Sequence, residues 1–174
     1  LAAVEIGKAL GATVIATAGG AEKLAVAKAH GADHLIDYRS EDIRARVKEL
    51  TAGKGADVVF DPVGGDVFDA SLRCIAWSGR LLVIGFAAGR VPQVPANILL
   101  VKNIAVMGVY WGSYRKHAPE RLVEEFRELF GWYEAGLLKP HVSHRLALAA
   151  AGEAMALLLQ RRSTGKVVLI TGAL

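Results

Sequence analysis

The sequence predicts an α/β fold built around a parallel sheet, and two observations support this class. Short apolar runs rich in β-branched residues alternate with longer segments whose apolar residues recur at helical spacing. Glycine lies at the junctions between a predicted helix and the next strand, where a left-handed residue commonly ends a helix; these glycines are Gly11, Gly31, Gly53, Gly55 and Gly79. Strands that alternate with helices are normally covered on both faces, so we expect a doubly wound parallel sheet.

The predicted elements begin with an amphipathic helix over residues 1–10. Four strands follow, over residues 13–17, 34–37, 57–61 and 80–85, with helices between them over residues 21–30, 41–50 and 66–75. The order continues with a loop over 86–96, a helical turn over 97–102, a fifth strand over 104–109, a loop over 111–116 and a longer helix over 119–134.

The alternation of strands and helices ends near Gly136 and Pro140. An extended run over 141–146, a helix over 150–160 and a strand over 166–171 complete the chain. We therefore expect one domain over residues 1–138 and a separate C-terminal segment over residues 139–174.

Composition indicates a globular protein and argues against several classes. The apolar fraction of 53% and the charged fraction of 22% are typical of a folded domain. The longest apolar runs, 81–89 and 146–159, are shorter than the ~20 residues that cross a bilayer. The net charge of +4 comes from scattered basic residues without interleaved aromatic residues, which argues against nucleic-acid binding.

The cysteine and histidine content predicts neither a disulfide nor a metal site. The single cysteine, Cys74, has apolar neighbours and is expected to be a buried structural thiol in a reducing compartment. The five histidines lack a spacing that brings three or four ligands together, as zinc requires. Because no export signal is recognisable either, we expect a cytoplasmic protein without a metal.

The opening helix lacks the strand that should precede it. A helix that feeds a parallel strand through glycine is half of a βαβ unit, and no capping residue stands before Leu1. In dinucleotide-binding folds, the preceding strand and a glycine-rich turn hold a pyrophosphate at the N-terminus of this helix. We therefore expect a chain that is truncated at its N-terminus.

The end of the strand over residues 13–17 is the most informative candidate site. In dinucleotide folds this strand often ends in an acidic residue that binds the adenosine ribose hydroxyls of NAD. Here the tip reads Thr17-Ala18-Gly19-Gly20, which leaves room for a 2′-phosphate. Lys23 falls in the first helical turn, where the macrodipole disfavours a cation unless an anion binds beside it. The alternative is a surface lysine paired with Glu22, and spacing alone favours neither interpretation.

Two further strand ends reach the same edge of the predicted sheet. Tyr38 and Arg39 follow the strand over 34–37. Tyr38 either covers an adenine or packs on its neighbours, and taken alone the second role is preferred. Asp61 begins the turn Asp61-Pro62-Val63-Gly64-Gly65. Its carboxylate is a candidate general base, but no second acid or histidine lies nearby. Hydrogen bonding to the backbone of the turn is therefore the preferred role of Asp61.

Six segments in one order carry a resemblance to a known family. They are ALGATVIAT (9–17), EKL (22–24), GADHLIDY (31–38), GADVVFDPVG (55–64), GRLLVIGF (79–86) and GKVVL (165–169). Together they resemble the C-terminal part of the zinc-free quinone oxidoreductases, the zeta-crystallin-like branch of the medium-chain dehydrogenase/reductase family. The resemblance spans essentially the whole chain.

The resemblance implies an enzyme with an N-terminal GroES-like catalytic domain and a Rossmann domain that binds NADPH between them. It implies hydride transfer from NADPH to quinones or other activated carbonyl and enone acceptors. By position, it implies that Gly19, Lys23 and Tyr38 form a 2′-phosphate pocket and that Val63 and Gly64 form the loop beside the riboses. It also implies that Ile84 and Phe86 line the nicotinamide side and that Arg161 belongs to a basic loop that closes over the cofactor. No catalytic residue is assigned.

The family's first Rossmann strand, which is central in the order 3-2-1-4-5-6, has no counterpart here. We therefore expect unpaired edges on the strands over 13–17 and 57–61, and a C-terminal part that normally packs on a catalytic domain. A less favoured possibility is that residues 167–173 fill the central position. The isolated chain is expected to bind NADPH weakly and to lack activity.

The resemblance also implies partners and leaves alternatives open. In the family the last Rossmann strand, here over 104–109, pairs with a second copy, so a homodimer is expected. An enoyl-thioester reductase of the same superfamily shares almost every motif. A nucleotide-binding module without catalysis is a third reading, and a methyltransferase is less well supported because no acidic residue stands at 17–20.

Overall fold

A computed structural model describes residues 1–172 of the chain. The helices are α1 (Ala2–Ala9), α2 (Ala21–Ala29), α3 (Ile43–Leu50), α4 (Gly65–Cys74), α5 (Ala96–Lys102), α6 (Tyr114–His117), α7 (Pro119–Glu134) and α8 (Ala151–Leu159). The strands are β1 (Ile15–Ala18), β2 (His34–Asp37), β3 (Ala56–Asp61), β4 (Ile75–Val83), β5 (Ala105–Gly108), β6 (Val142–Ala147) and β7 (Lys166–Ile170). Short 3-10 turns lie at Trp111–Ser113 and Leu148–Ala150.

The strands form separate sheets within the described residues. β1 pairs with β2, β4 lies between β3 and β5, and β6 pairs with β7. The β3–β4, β4–β5 and β6–β7 pairs are parallel. Within residues 1–172, the single hydrogen-bonded neighbour of β3 is β4, and that of β1 is β2. This pairing is what we predict for a doubly wound sheet without its first strand. Because β7 pairs with β6, the possibility that it fills the central position is wrong as far as its described residues extend.

The predicted strands and helices are present, and β4 shows the largest shift in bounds. This strand begins at Ile75, directly after α4, rather than at Arg80. Gly79 was expected to end the helix, but it lies inside β4. A side chain at Gly79 would meet Ile75 Cγ1 at 2.7 Å and the Asp57 carbonyl oxygen at 3.1 Å. This glycine therefore permits close packing of the strands, and the prediction of a helix end there is wrong.

The chain divides into two compact units. The first unit contains residues 1–35 and the residues from 128 onwards, and the second contains residues 36–127. In the first unit, Val4, Ala27 and Ala32 form a small core with Val14 and Leu35 around it. Burying these small apolar side chains stabilises the unit by the usual ~25 cal/mol per Å² of apolar surface removed from water.

The core of the second unit lies on one face of the β3–β4–β5 sheet. Phe68 and Leu72 of α4 pack with Ile75 and Leu81 of β4. The side chains of Phe68 and Leu81 are fully buried. Complete burial of side chains of this size contributes roughly 1.5–3 kcal/mol each. This core holds the carboxyl ends of β3, β4 and β5 in fixed register, with Asp61 of β3 opposite Val83 of β4.

A lysine closes the end of α4 against β4. The Lys102 ammonium donates to the carbonyl oxygens of Leu72, Arg73 and Ile75 at 3.1, 2.9 and 3.2 Å. These contacts satisfy carbonyl groups that a helix end leaves without partners. Burial lowers the pKa of Lys102, and the neighbouring charge of Lys48 acts in the same direction.

Candidate functional site

The predicted site residues follow the carboxyl ends of the strands, where ligands bind in open α/β sheets. Thr17 lies in β1, Tyr38 follows β2, Val63 follows β3 and Ile84 follows β4. The first unit contains Thr17, Gly19, Lys23 and Arg161, and the second contains Tyr38, Val63, Gly64, Ile84 and Phe86.

The β1 tip, defined as residues 17–20, leads into an uncapped helix. Gly20 is the N-cap of α2, has a φ of 98° and supplies no side-chain cap. The first backbone N–H groups of a helix lack internal acceptors, and the helix dipole makes this end electropositive. Thr17 is exposed at the tip and Gly19 is buried. The β1 tip therefore presents hydrogen-bond donors with no carboxylate among its residues.

Lys23 adds a cation to the first turn of α2. Its side chain is half-buried, and it makes neither a hydrogen bond nor an ion pair with any residue of the described chain. The pairing with Glu22, which was one reading of the sequence, is absent from this part of the chain. An unpaired ammonium beside free helix N–H groups fits an anionic ligand such as a phosphate monoester.

The scaffold below the β1 tip uses its charges internally. Asp33 accepts hydrogen bonds from the Lys8 ammonium at 2.8 Å and from the Val14 backbone N–H at 2.7 Å. The hydrogen bond from Lys8, followed by that from Val14, holds the pKa of Asp33 below its ordinary value. These contacts fix the start of β1 against α1 and so position the tip.

A second polar cluster in the first unit was not predicted. The buried Glu5 carboxylate contacts His30 Nδ1 at 2.7 Å and accepts a hydrogen bond from the Lys139 backbone N–H at 3.1 Å. The His30 ring lies edge-on to that of His141, with 5.4 Å between their centroids. These residues are far apart in sequence, so no local pattern could reveal the cluster.

Two other predicted residues lie on exposed turns. Tyr38 is 43% exposed in the turn after β2. The Asp37 carboxylate accepts from the Arg39 backbone N–H at 3.0 Å and helps to form this turn. Arg161 follows α8 with a φ of 56°, and its backbone N–H donates to the Leu158 carbonyl oxygen at 3.0 Å.

The turn after β3 is organised by Asp61. This residue is only 3% exposed, and its Oδ1 accepts hydrogen bonds from the backbone N–H groups of Val63 at 2.8 Å and Gly64 at 3.0 Å. Its Oδ2 is buried without a hydrogen-bond partner in the described residues. The preferred interpretation of Asp61 as a turn-forming residue is thus confirmed.

Gly64 allows the turn after β3 to approach the loop after β4. Its φ of 71° favours glycine, and a side chain there would meet Phe86 Cδ1 at 3.2 Å and the Arg90 carbonyl oxygen at 3.1 Å. The backbone N–H groups of Ala87 and Ala88 donate to the carbonyl oxygens of Pro62 and Val63. The two turns are therefore joined, which places Val63, Gly64 and Phe86 together.

The loop after β4 is also tied by charge. The Arg90 guanidinium contacts Asp66 at 2.9 Å and Asp69 at 2.6 Å, both on α4. These carboxylates raise the pKa of Arg90, with Asp69 the larger contributor. Arg90 was not among the predicted residues, because its partners lie on another element.

A cavity of about 690 Å³ lies at the ends of β4 and β5. Ile84 and Phe86 form part of one wall, and Tyr110, Tyr114 and His117 belong to the other. The sequence predicted a plain loop over 111–116, whereas a 3-10 turn and α6 occupy it. The aromatic residues in this segment were the available signal for a binding wall.

The remaining candidates for chemistry are limited. Within residues 1–172 there is no group of three or more His, Cys, Asp or Glu side chains that could hold a metal ion. Cys74 is buried, as predicted, and burial raises the pKa of its thiol. No helix of the described chain is long and apolar enough to cross a membrane.

The family model for "Zinc-binding dehydrogenase" matches residues 1–130, and the chain belongs to this family. Its similarities place it in the quinone oxidoreductase branch. It is 48% identical over 151 residues to "Quinone oxidoreductase-like protein 2 homolog" of Nematostella vectensis, covering 86% of this chain and 41% of that protein.

Solved structures support the same branch. The quinone oxidoreductase of Pseudomonas syringae pv. tomato DC3000 matches with a TM-score of 0.86 and 40% identity, over 97% of this chain and 52% of that one. The Escherichia coli quinone oxidoreductase complexed with NADPH matches with a TM-score of 0.86 and 35% identity, again over 97% and 52%. The chain therefore spans about half the length of the relatives it matches.

Proposed function

We propose that this chain is the cofactor-binding part of an NADPH-dependent oxidoreductase that passes a hydride to quinones or similar activated carbonyl and enone acceptors. The observation that carries the proposal is the β1 tip, which combines an uncapped α2, no carboxylate and an unpaired Lys23. The similarity to quinone oxidoreductases, one of them complexed with NADPH, supports it.

The choice of NADPH over NADH follows from charge. NADPH differs from NADH by a phosphate on the adenosine ribose, and an acidic residue at this position would repel it. A unit charge pair about 4 Å apart attracts by roughly 4 kcal/mol at the effective dielectric of a protein surface. Dehydration reduces the net gain, and hydrogen bonds to charged groups typically contribute about 1.5–3 kcal/mol.

The remaining predicted residues would hold the rest of the cofactor. In this proposal Tyr38 covers the adenine end, Val63 and Gly64 line the riboses, and Ile84 and Phe86 support the nicotinamide. Arg161 contributes positive charge from the loop after α8. When bound, NADPH supplies the hydride, while these residues orient it and exclude water.

The test compares two lysine variants of the chain. Calorimetric titration of Lys23→Ala should show an NADPH affinity lower by about tenfold or more, with NADH affinity unchanged, because only NADPH carries the phosphate. Lys54→Ala is the matched control, since Lys54 is exposed and makes no contact with another charged group of the described chain. Equal losses for both cofactors would contradict the proposal.

The acceptor is tested on the full-length protein. Turnover with 1,4-benzoquinone but not with crotonyl-CoA is expected for a quinone oxidoreductase, and the reverse for an enoyl-thioester reductase. NADPH binding without turnover of either acceptor would indicate a nucleotide-binding module. The full-length protein is the right material because relatives are about twice as long as this chain.

We further propose that a domain boundary follows residue 138 and that the protein is cytoplasmic. We also propose that it forms a homodimer through β5. The side chain of Met107 in β5, which is 48% exposed, supports the proposed contact at this strand. Within the described residues β5 has β4 as its only paired neighbour, which leaves one edge for a second copy. Sedimentation of the full-length protein tests this state.

A further inference from the structure

The cavity of about 690 Å³ in the second unit has the size of a small-molecule site, since such sites run to roughly 300–1,000 Å³. We call it the β4–β5 cavity, lined on one side by Val83–Phe86 and on the other by Gly108–Tyr110, Ser113, Tyr114, His117 and Ala118. In the proposed function Ile84 and Phe86 border the nicotinamide. The opposite wall then faces the place where an acceptor must lie.

Contacts behind this opposite wall hold it in place. The Trp111 indole Nε1 donates to Glu125 at 3.0 Å, and its ring packs edge-on against Phe126 with 5.6 Å between centroids. The Arg121 guanidinium lies 5.7 Å from the centre of the Tyr114 ring. These contacts restrain residues 111–114, which reduces the ordering cost of binding at this wall.

The hydroxyl groups of this wall differ in how they are used. Ser113 Oγ donates to the Tyr110 carbonyl oxygen at 2.8 Å and is therefore occupied. The phenol hydroxyl of Tyr114 makes no hydrogen bond within the described part of the chain, although the residue is half-buried. Tyr110 and His117 also bring polar groups to this wall, but both residues are exposed, whereas Tyr114 is half-buried. A few polar groups within a mainly apolar pocket orient the ligand in such sites.

We propose that the β4–β5 cavity binds the acceptor as a flat, uncharged quinone or enone, and that the Tyr114 hydroxyl donates a hydrogen bond to its carbonyl oxygen. Phe86 and Val109 supply apolar surface for the ring. The proposal rests on the proposed function for the position of the nicotinamide. It adds the acceptor site and a residue that contacts the acceptor.

The hydrogen bond has a role in the reduction. In the proposed reaction NADPH is the reductant: a C–H bond of its nicotinamide would break and NADP⁺ would remain. The hydride forms a new C–H bond at a conjugated carbon of the acceptor, and the displaced π electron pair moves to the carbonyl oxygen. The oxygen becomes an oxyanion, and a proton from water completes the two-electron reduction. A donor hydrogen-bonded to this oxygen stabilises the charge as it develops, so in this proposal the Tyr114 hydroxyl lowers the barrier.

The test separates acceptor binding from cofactor binding. The chain, its Tyr114→Phe variant and its Tyr133→Phe variant are titrated by calorimetry with 1,4-naphthoquinone and, separately, with NADPH. Tyr114→Phe should weaken quinone binding by about fivefold to tenfold, as expected for one lost hydrogen bond, and should leave NADPH affinity unchanged. Tyr133 is 58% exposed and outside the cavity, so Tyr133→Phe should bind both ligands like the unmodified chain.

Turnover of the full-length protein provides the second readout. Tyr114→Phe should lower kcat/KM for 1,4-benzoquinone by about tenfold or more, with the KM for NADPH unchanged. Equal quinone affinity in Tyr114→Phe and the unmodified chain, or an equal loss of NADPH affinity, would overturn the proposal. Quinone binding that depends on Tyr114 in a chain that fails to bind NADPH would instead refute the proposed function and leave the cavity assignment standing.

Discussion

The β1 tip in the first unit leaves its hydrogen-bond donors unpaired, whereas the turns after β3 and β4 in the second unit form hydrogen bonds and ion pairs within that unit. Lys23 and the first N–H groups of α2 have no partner in residues 1–172, while Asp61 accepts two backbone N–H groups and Arg90 binds two carboxylates. The first arrangement is suited to recognise charge. The second builds a rigid surface that is suited to recognise shape, with Phe86 and Gly64 at its centre.

This difference explains which acidic residue is structural. Asp61 Oδ1 accepts two backbone N–H groups inside the turn, so this carboxylate holds the turn in shape. The ammonium of Lys23 has nothing to position in the described chain. We propose that it binds the phosphate of the cofactor.

The largest effect is expected when the Asp61 carboxylate is removed from the turn after β3. Asp61→Ala leaves the N–H groups of Val63 and Gly64 without their acceptor in a buried turn, so the free energy of unfolding should fall by about 2–3 kcal/mol. Urea unfolding curves measure this loss. Asp57→Ala on the same strand, at an exposed position, should change it by less than about 0.5 kcal/mol. A loss no larger than that control would contradict the role given to Asp61.

An intermediate effect is expected from the ion pair below the β1 tip. Because the pKa of Asp33 is lowered in the folded chain, its contribution to stability is present above its unfolded pKa and is lost as the pH falls through the folded value. Asp33→Asn should therefore lower the Tm at neutral pH and flatten its decline in acid. Thermal unfolding between neutral and acidic pH measures both. An acid decline as steep as in the unmodified chain would show that Asp33 is not responsible.

The smallest effect is expected at Arg90. Its ion pairs with Asp66 and Asp69 are solvent-exposed, and exposed pairs contribute little because water screens them. Arg90→Ala should leave the urea midpoint within the error of repeated curves. A loss comparable to that of Asp61→Ala would mean that the loop after β4 depends on charge rather than on its backbone hydrogen bonds.

Much of the fold could be predicted because its signals are local. Apolar runs and helical spacing located β2 at residues 34–37 and α7 at residues 119–134, with the bounds that the structure shows. The Asp61 turn was also predictable, since its acceptor and donors lie within three residues of one another. The β1 tip could be interpreted because the residues that matter there are consecutive.

The features that sequence reasoning missed depend on distant partners. The sequence predicts a helix end at Gly79, but a side chain there would meet Ile75 Cγ1 at 2.7 Å and the Asp57 carbonyl oxygen of the neighbouring strand at 3.1 Å. Glu5 meets His30 and the backbone of Lys139 only after the chain has folded. The sequence predicts a loop where the second wall of the β4–β5 cavity lies, because the segment 111–117 is too short to show a periodic pattern.

The central claim is that the β1 tip recognises a phosphate on the adenosine ribose. The most direct measurement is calorimetric titration of the chain with 2′,5′-ADP and with 5′-AMP, which differ only in that phosphate. We expect 2′,5′-ADP to bind at least about tenfold more tightly, and this preference to disappear in Lys23→Ala and persist in Lys54→Ala. Equal affinities of the unmodified chain for the two nucleotides would contradict the claim.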